Sequence, residues 1–121
     1  MAGTVKRGDI VIVSAQRDYG KPRPAVVVQS DALNAADSVL VALFTSAIAD
    51  APLYRLTIEP AATNGLKAVS QVMVDKVLAY PRAKCGPAIG HLSGTDMIVL
   101  NNMLSVMVGL ADCSAIPSFL S

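Results

Sequence analysis

Apolar residues fall in short β-branched blocks separated by polar stretches that carry Gly and Pro. The block Gly8-Asp9-Ile10-Val11-Ile12-Val13 reads as a strand. Ala25-Val26-Val27-Val28-Gln29 is continuously apolar, which predicts a strand buried on both faces. Ser38 to Phe44 predicts a third strand that runs directly into Thr45-Ser46. Leu53 to Ile58 alternates and predicts a half-exposed fourth, with Tyr54 or Arg55 on the solvent side. Ser70 to Tyr80 predicts a fifth, interrupted near Asp75-Lys76 and ended by Pro81. The segment from Ser14 to Pro24 carries Gly20, Pro22 and Pro24 and reads as a loop. Its eleven residues exceed the ~2–5 of an ordinary hairpin connection, and long loops on small scaffolds often carry function. Ser30 to Asp37 reads as a loop or one helical turn, and Asn64-Gly65 is a strong turn signal.

Beyond Gly86-Pro87 the period changes. Ser93-x-x-Asp96 has the form of a helix start, with a capping hydroxyl and an acid near the positive end of the dipole. From there to Leu110 apolar residues cover most of the circumference, leaving Thr95, Asn101, Asn102, Ser105 and Gly109 as a narrow polar stripe. A helix this apolar is expected to pack on more than one side. Strands run together and then a helix predict a mainly β fold, a small barrel with a C-terminal helix, and not a doubly wound sheet. At 121 residues the chain is expected to form a single domain over residues 1–121.

Composition narrows the functional classes. With 53% hydrophobic residues the chain is not disordered. One His and two Cys cannot supply a zinc finger or a His-rich metal site. Charged residues are 16%, below the usual ~25%. Ten Lys and Arg against nine Asp and Glu give a net charge of +1, so a bulk nucleic-acid footprint is missing. The cations are nonetheless uneven. Lys6, Arg7, Arg17, Lys21 and Arg23 fall in residues 1–31, whereas residues 85–121 hold no Lys or Arg. The first segment therefore offers cations to a partner, and the second reads as surface to be buried, including against another copy. No secretory signal or membrane-spanning run is visible, and a cytoplasmic setting is the default expectation.

Few residues suggest chemistry. Arg23, between Pro22 and Pro24, is held extended before a buried strand, a suitable presentation for binding phosphate. An ordinary exposed Arg at a strand start is the commoner use of such a position. Thr45-Ser46 places two hydroxyls at a strand end, fit for a phosphate oxygen or for capping a turn. Asp75-Lys76 could provide a base, or form an exposed bulge or an ion pair with Arg55 or Lys67. Tyr19 and Tyr54 could stack on bases or simply pack. His91 reads as structural, and Cys85 and Cys113 as free thiols. There is no Walker loop, Rossmann fingerprint, HExxH or GxSxG. An enzyme built on this chain is expected to need no metal and no cofactor.

Arg7-Gly8-Asp9-Ile10-Val11-Ile12-Val13, then Lys21-Pro22-Arg23-Pro24-Ala25-Val26-Val27-Val28-Gln29, then Phe44-Thr45-Ser46, resemble in order and spacing the MazF/PemK (Kid) toxins of toxin–antitoxin pairs. The strand with Asp75 and the ending Ile89-Gly90-His91-Leu92-Ser93 plus helix extend the likeness over roughly Lys6 to Leu110. The resemblance implies an SH3-like barrel of about five to seven strands with a C-terminal helix. It implies a homodimer that cuts single-stranded RNA without metal and is neutralised by a cognate antitoxin. The substrate 2′-OH attacks the adjacent phosphate, giving 2′,3′-cyclic phosphate and 5′-OH ends. By the same resemblance Arg23, Thr45 and Asp75 are catalytic. Arg17, Tyr19, Lys21, Ser46 and Lys76 then bind substrate. Departures are visible. Kid-type members have an Arg two residues before the Asp, where this chain has Met73, and a Gln after it, where this chain has Lys76. No His lies in the first loop. Val27-Val28-Gln29-Ser30-Asp31 also resembles the second strand of CcdB, a gyrase-binding poison without nuclease chemistry, although residues 116–121 lack the Trp of its tail.

Overall fold

A computed structural model describes residues 5–14 and 21–112. The β-branched blocks form a six-stranded antiparallel sheet. Its strands are β1 (Asp9–Ser14), β2 (Pro22–Val27), β3 (Ser38–Thr45), β4 (Arg55–Ile58), β5 (Ser70–Pro81) and β6 (Gly90–His91), followed by α1 (Gly94–Met107). The spatial order is β4-β5-β3-β2-β1-β6. The mainly β fold with a C-terminal helix is as expected, and single 3-10 turns at Asp31–Leu33 and Arg82–Lys84 cap two connections.

Three boundaries differ from the sequence reading. β2 starts at Pro22, inside the segment expected to be loop. Pro22 and Pro24 lie in the half of β2 that pairs with β1 alone (Ser14↔Pro22, Ile12↔Pro24), so their missing N–H groups leave no ladder gap toward β3. β4 starts at Arg55, because the N–H groups of Tyr54 and Arg55 both turn back to the carbonyl of Ala51. β5 is continuous through Asp75-Lys76, and the expected interruption is a bulge. Ala42 pairs with Val77 and Phe44 with Val72, so β5 carries the extra residues. Asp75 is exposed there, and Arg55, a suggested ion-pair partner, bonds elsewhere.

The central strands fill two cores, one on each face. Val26 and Ala42 join Ile10, Phe44, Val72, Leu100 and Met103 under the helix. Ala25, Val27, Val41 and Leu43 join Val11, Val13, Met73 and Tyr80 on the other face. This is the two-sided burial expected of the Ala25–Gln29 run. Tyr80 crosses the second face, and its hydroxyl accepts the Ser14 N–H at 3.2 Å.

The sheet curls until its edges meet. The turn leaving β4 abuts β6, where the His91 N–H donates to the Thr63 carbonyl at 2.9 Å. Asn64 organises that turn. Its Oδ1 accepts the N–H groups of Ala61 and Leu66, both at 3.0 Å, and its Nδ2 donates to the Glu59 carbonyl at 2.8 Å. Gly65 follows at φ +70°, a left-handed conformation that suits Gly, and a Cβ there would strike the Ile89 backbone.

The helix begins as read, with the Ser93 hydroxyl accepting the Asp96 N–H at 3.1 Å. Only Leu100 and Met103 are fully buried. Along the helix Gly94, Thr95, Ile98, Asn101 and Met107 are exposed, and just past its end Val108 and Leu110 remain 65% and 82% exposed.

Candidate functional site

Two of the sequence candidates lie at the same end of the sheet. The last β2–β3 pair sets Ala25 opposite Leu43. Arg23 and Thr45 each lie two residues past that pair, on β2 and β3. Both share a face with the core beneath Ala25 and Leu43, because side chains alternate along a strand. Across β3, Thr45 stands opposite Gln71, and Gln71 stands opposite Thr57. A row of polar side chains, Thr45, Gln71 and Thr57, thus crosses β3, β5 and β4 at the end of the sheet where Arg23 also lies, above the second apolar core.

Arg23 and Thr45 are half-buried, and Ser46 is exposed. The Thr45 Oγ1 accepts the Ala47 N–H at 3.1 Å, so the hydroxyl proton is left to point elsewhere. Gln71 is nearly fully buried, and its amide is bonded on both atoms. Its Oε1 accepts from Ala49 N–H at 3.0 Å and Arg55 Nη1 at 3.2 Å. Its Nε2 donates to the Ala49 carbonyl and to Thr57 Oγ1, both at 3.0 Å. Arg55 Nη1 also donates to the Ala47 carbonyl at 3.1 Å. Of the two residues the alternation offered to solvent, Tyr54 is the exposed one and Arg55 is half-buried.

Lys21 is exposed one residue before β2. Asp75 and Lys76 are exposed in the β5 bulge. The bulge falls between the Phe44↔Val72 and Ala42↔Val77 pairs, so they lie beside β3 between Ala42 and Phe44, short of Thr45. Arg17 and Tyr19 lie outside the described residues. His91 is exposed on β6, its Nδ1 3.2 Å from the Leu92 carbonyl. Burial pushes the Cys85 thiol above its ordinary range, and the nearby Arg82 charge offsets part of that rise. Among the described residues, no three His, Cys, Asp or Glu side chains are grouped to hold a metal ion. No helix among them is long and apolar enough to cross a membrane.

Gln71 and Arg55 were not legible as site residues. The available sign was a Gln set in an otherwise apolar strand, since a buried amide must find partners.

A model of the PemK-like, MazF-like toxins of type II toxin–antitoxin systems matches residues 6–108. The "probable endoribonuclease MazF" of Mycolicibacterium smegmatis is 43% identical over 108 residues, covering 88% of this chain and 99% of that protein. The Mycobacterium tuberculosis toxin MazF-mt6 superimposes with a TM-score of 0.72 at 22% identity, covering 85% of this chain and 98% of that one. An endoribonuclease in complex with its cognate antitoxin, from a mycobacterial species, gives 0.73 at 18% identity over 88% and 97%. A MazE–MazF structure from Deinococcus radiodurans gives 0.71 at 18% identity over 90% and 99%.

Proposed function

Because the chain belongs to the PemK-like, MazF-like toxins of type II toxin–antitoxin systems, we propose that it is an endoribonuclease that cuts single-stranded RNA without a metal ion. The observation that carries this reading is the Arg23–Thr45 pair. A guanidinium and a hydroxyl each stand two residues past the last β2–β3 pair, at one end of the sheet and on the side of the second core.

Such a pair suits a phosphate. RNA brings its own nucleophile, so the protein need only hold the phosphate and stabilise charge. The 2′-oxygen attacks phosphorus, the P–O5′ bond breaks, and a 2′,3′-cyclic phosphate forms. The 2′-hydroxyl proton leaves to solvent. Arg23 neutralises the charge that builds on the phosphorane oxygens, donates a proton to the departing O5′, and is reprotonated by water. Thr45 donates its hydroxyl to a non-bridging oxygen, since its acceptor side is already used by Ala47. Donors fixed where charge develops are commonly the largest catalytic contribution. Ser46, Lys21 and Lys76 are exposed along the strand's path and bind neighbouring phosphates or sugars. Arg17 and Tyr19 are assigned to RNA binding on the sequence resemblance. Asp75 acts from the bulge on the orientation of the strand rather than on the phosphate itself.

The toxin is proposed to be a homodimer restrained by an antitoxin. The exposed apolar residues Ile98 and Met107 on α1, with Val108 and Leu110 just after it, support an interface with a second copy. A related endoribonuclease is known with its cognate antitoxin, and an acidic antitoxin segment would compete with RNA for the same cations.

The test is incubation with a mixed single-stranded RNA in EDTA, followed by mapping of the ends. Cyclic-phosphate and 5′-OH ends are expected. Absence of cleavage, or 5′-phosphate ends, overturns the reading. Arg23→Ala should lower the rate by ~10²–10³ while the fold persists. Thr45→Ala should lose a large part of activity. Asp75→Asn should cost about tenfold or less, below the range for a group touching the reacting atoms.

A further inference from the structure

We infer that Arg55 is a positioning residue for this reaction, holding Thr45 in its working orientation through the Ala47 peptide; the inference rests on the nuclease reading above. Both backbone groups of Ala47 are bonded. Its N–H donates to Thr45 Oγ1, and its carbonyl accepts from Arg55 Nη1. Two residues on, Gln71 takes both the N–H and the carbonyl of Ala49. The same Arg55 nitrogen also donates to Gln71 Oε1. The chain after Thr45-Ser46 is therefore fastened to β4 and β5, strands reached only after a further connection. That fastening holds the Ala47 N–H aimed at the Thr45 hydroxyl.

Two features separate this from ordinary loop packing. Arg55 Nη1 goes only to neutral oxygens, so these bonds leave the guanidinium charge uncompensated at the end of the sheet where phosphate would sit. Its Nε is buried with no hydrogen-bond partner. A buried donor left unsatisfied costs free energy. The guanidinium is thus placed by what it holds rather than by its own best solvation. Gln71, with every amide position used, fixes the plane in which Arg55 must lie.

The test uses the full-length protein and a short single-stranded RNA that the wild type cuts. Cleavage kinetics are compared for Arg55→Met, Arg55→Lys, Thr45→Ala and the double variant Thr45→Ala/Arg55→Met. Arg55→Met should lower kcat by ~10–100-fold with KM within about threefold. In the Thr45→Ala background the same change should cost less than about threefold, because its route is already cut. Arg55→Lys should recover part of the loss. An Arg55→Met protein as fast as wild type overturns the inference, as does an undiminished loss in the Thr45→Ala background. If Arg55→Met does not fold, Arg55→Lys measured with and without Thr45→Ala decides by the same non-additivity. Wild-type protein that cuts no RNA overturns the nuclease reading and this inference together. Wild-type cleavage with an indifferent Arg55 overturns this one alone.

Discussion

Replacing Asn64 by Ala removes the device that joins the two ends of the sheet. The side chain is 6% exposed and makes three hydrogen bonds to backbone groups of its own turn. At about 1 kcal/mol net for each bond, the loss is roughly 3 kcal/mol. The Leu66 N–H is buried, so water cannot replace that partner, and the sum is a fair centre for the range. Urea unfolding followed by circular dichroism reads the change. With a slope of about 1.5–2 kcal/mol/M, the midpoint should fall by roughly 1.5–2 M at unchanged slope. Asn64→Asp separates the contributions. A carboxylate still accepts from Ala61 and Leu66 but cannot donate to the Glu59 carbonyl 2.8 Å away, so about 1–2 kcal/mol should be lost. A midpoint shift below ~0.5 M for Asn64→Ala, or equal losses for the two variants, would refute the assignment of this turn as the clasp.

Gly90→Ala should cost about 2–3 kcal/mol by overpacking, because the added Cβ collides with the backbone of Thr63 and Asn64. Thermal unfolding checks it, and an unchanged midpoint rules the contact out. Arg7→Met should lose roughly 2 kcal/mol, since Arg7 Nε donates to the Val28 carbonyl at 2.8 Å and Nη1 to Asn101 Oδ1 at 2.6 Å, tying the chain ahead of β1 to α1. Faster hydrogen exchange in α1 should accompany that loss. Cys85 should alkylate at pH 8 more slowly than a thiol in an unstructured peptide, because burial raises its pKa. The neutral thiol is favoured in the folded state. Its contribution to stability is therefore complete below the ordinary thiol pKa and is lost as pH rises past the raised value. Rapid alkylation would contradict the burial.

Strands whose identity rests on side-chain type were legible. Ile10 to Val13, Val26-Val27 and Val39 to Phe44 pair as their β-branched runs imply. What depended on a neighbour was not. Proline at positions 22 and 24 suggested loop, yet it is accommodated because β3 does not pair there. Asp75-Lys76 suggested a break, yet a bulge absorbs it. β6 is two residues long and exists only because β1 lies beside Gly90 and His91. The site divides in the same way. Arg23 and Thr45 could be picked out from their own chemistry and local spacing. Gln71 and Arg55, sixteen residues apart, acquire a role only once β4 pairs with β5. No local pattern contains that pairing.

The two-sided sheet also bears on how such a protein can diversify. Successive residues of β2 and β3 enter opposite cores: Ala25 and Leu43 one, Val26 and Ala42 the other. No face of these strands is free to accumulate substitutions without disturbing packing. Tolerated variation is therefore pushed to the sheet's end and to residues 46–50, which are exposed and directly follow Thr45. Under the proposed function, changes there would alter recognition while the scaffold beneath stays unchanged. A randomised library confined to residues 46–50 should return mostly folded members, whereas one spread over 25–27 and 41–43 would mostly return unfolded chains.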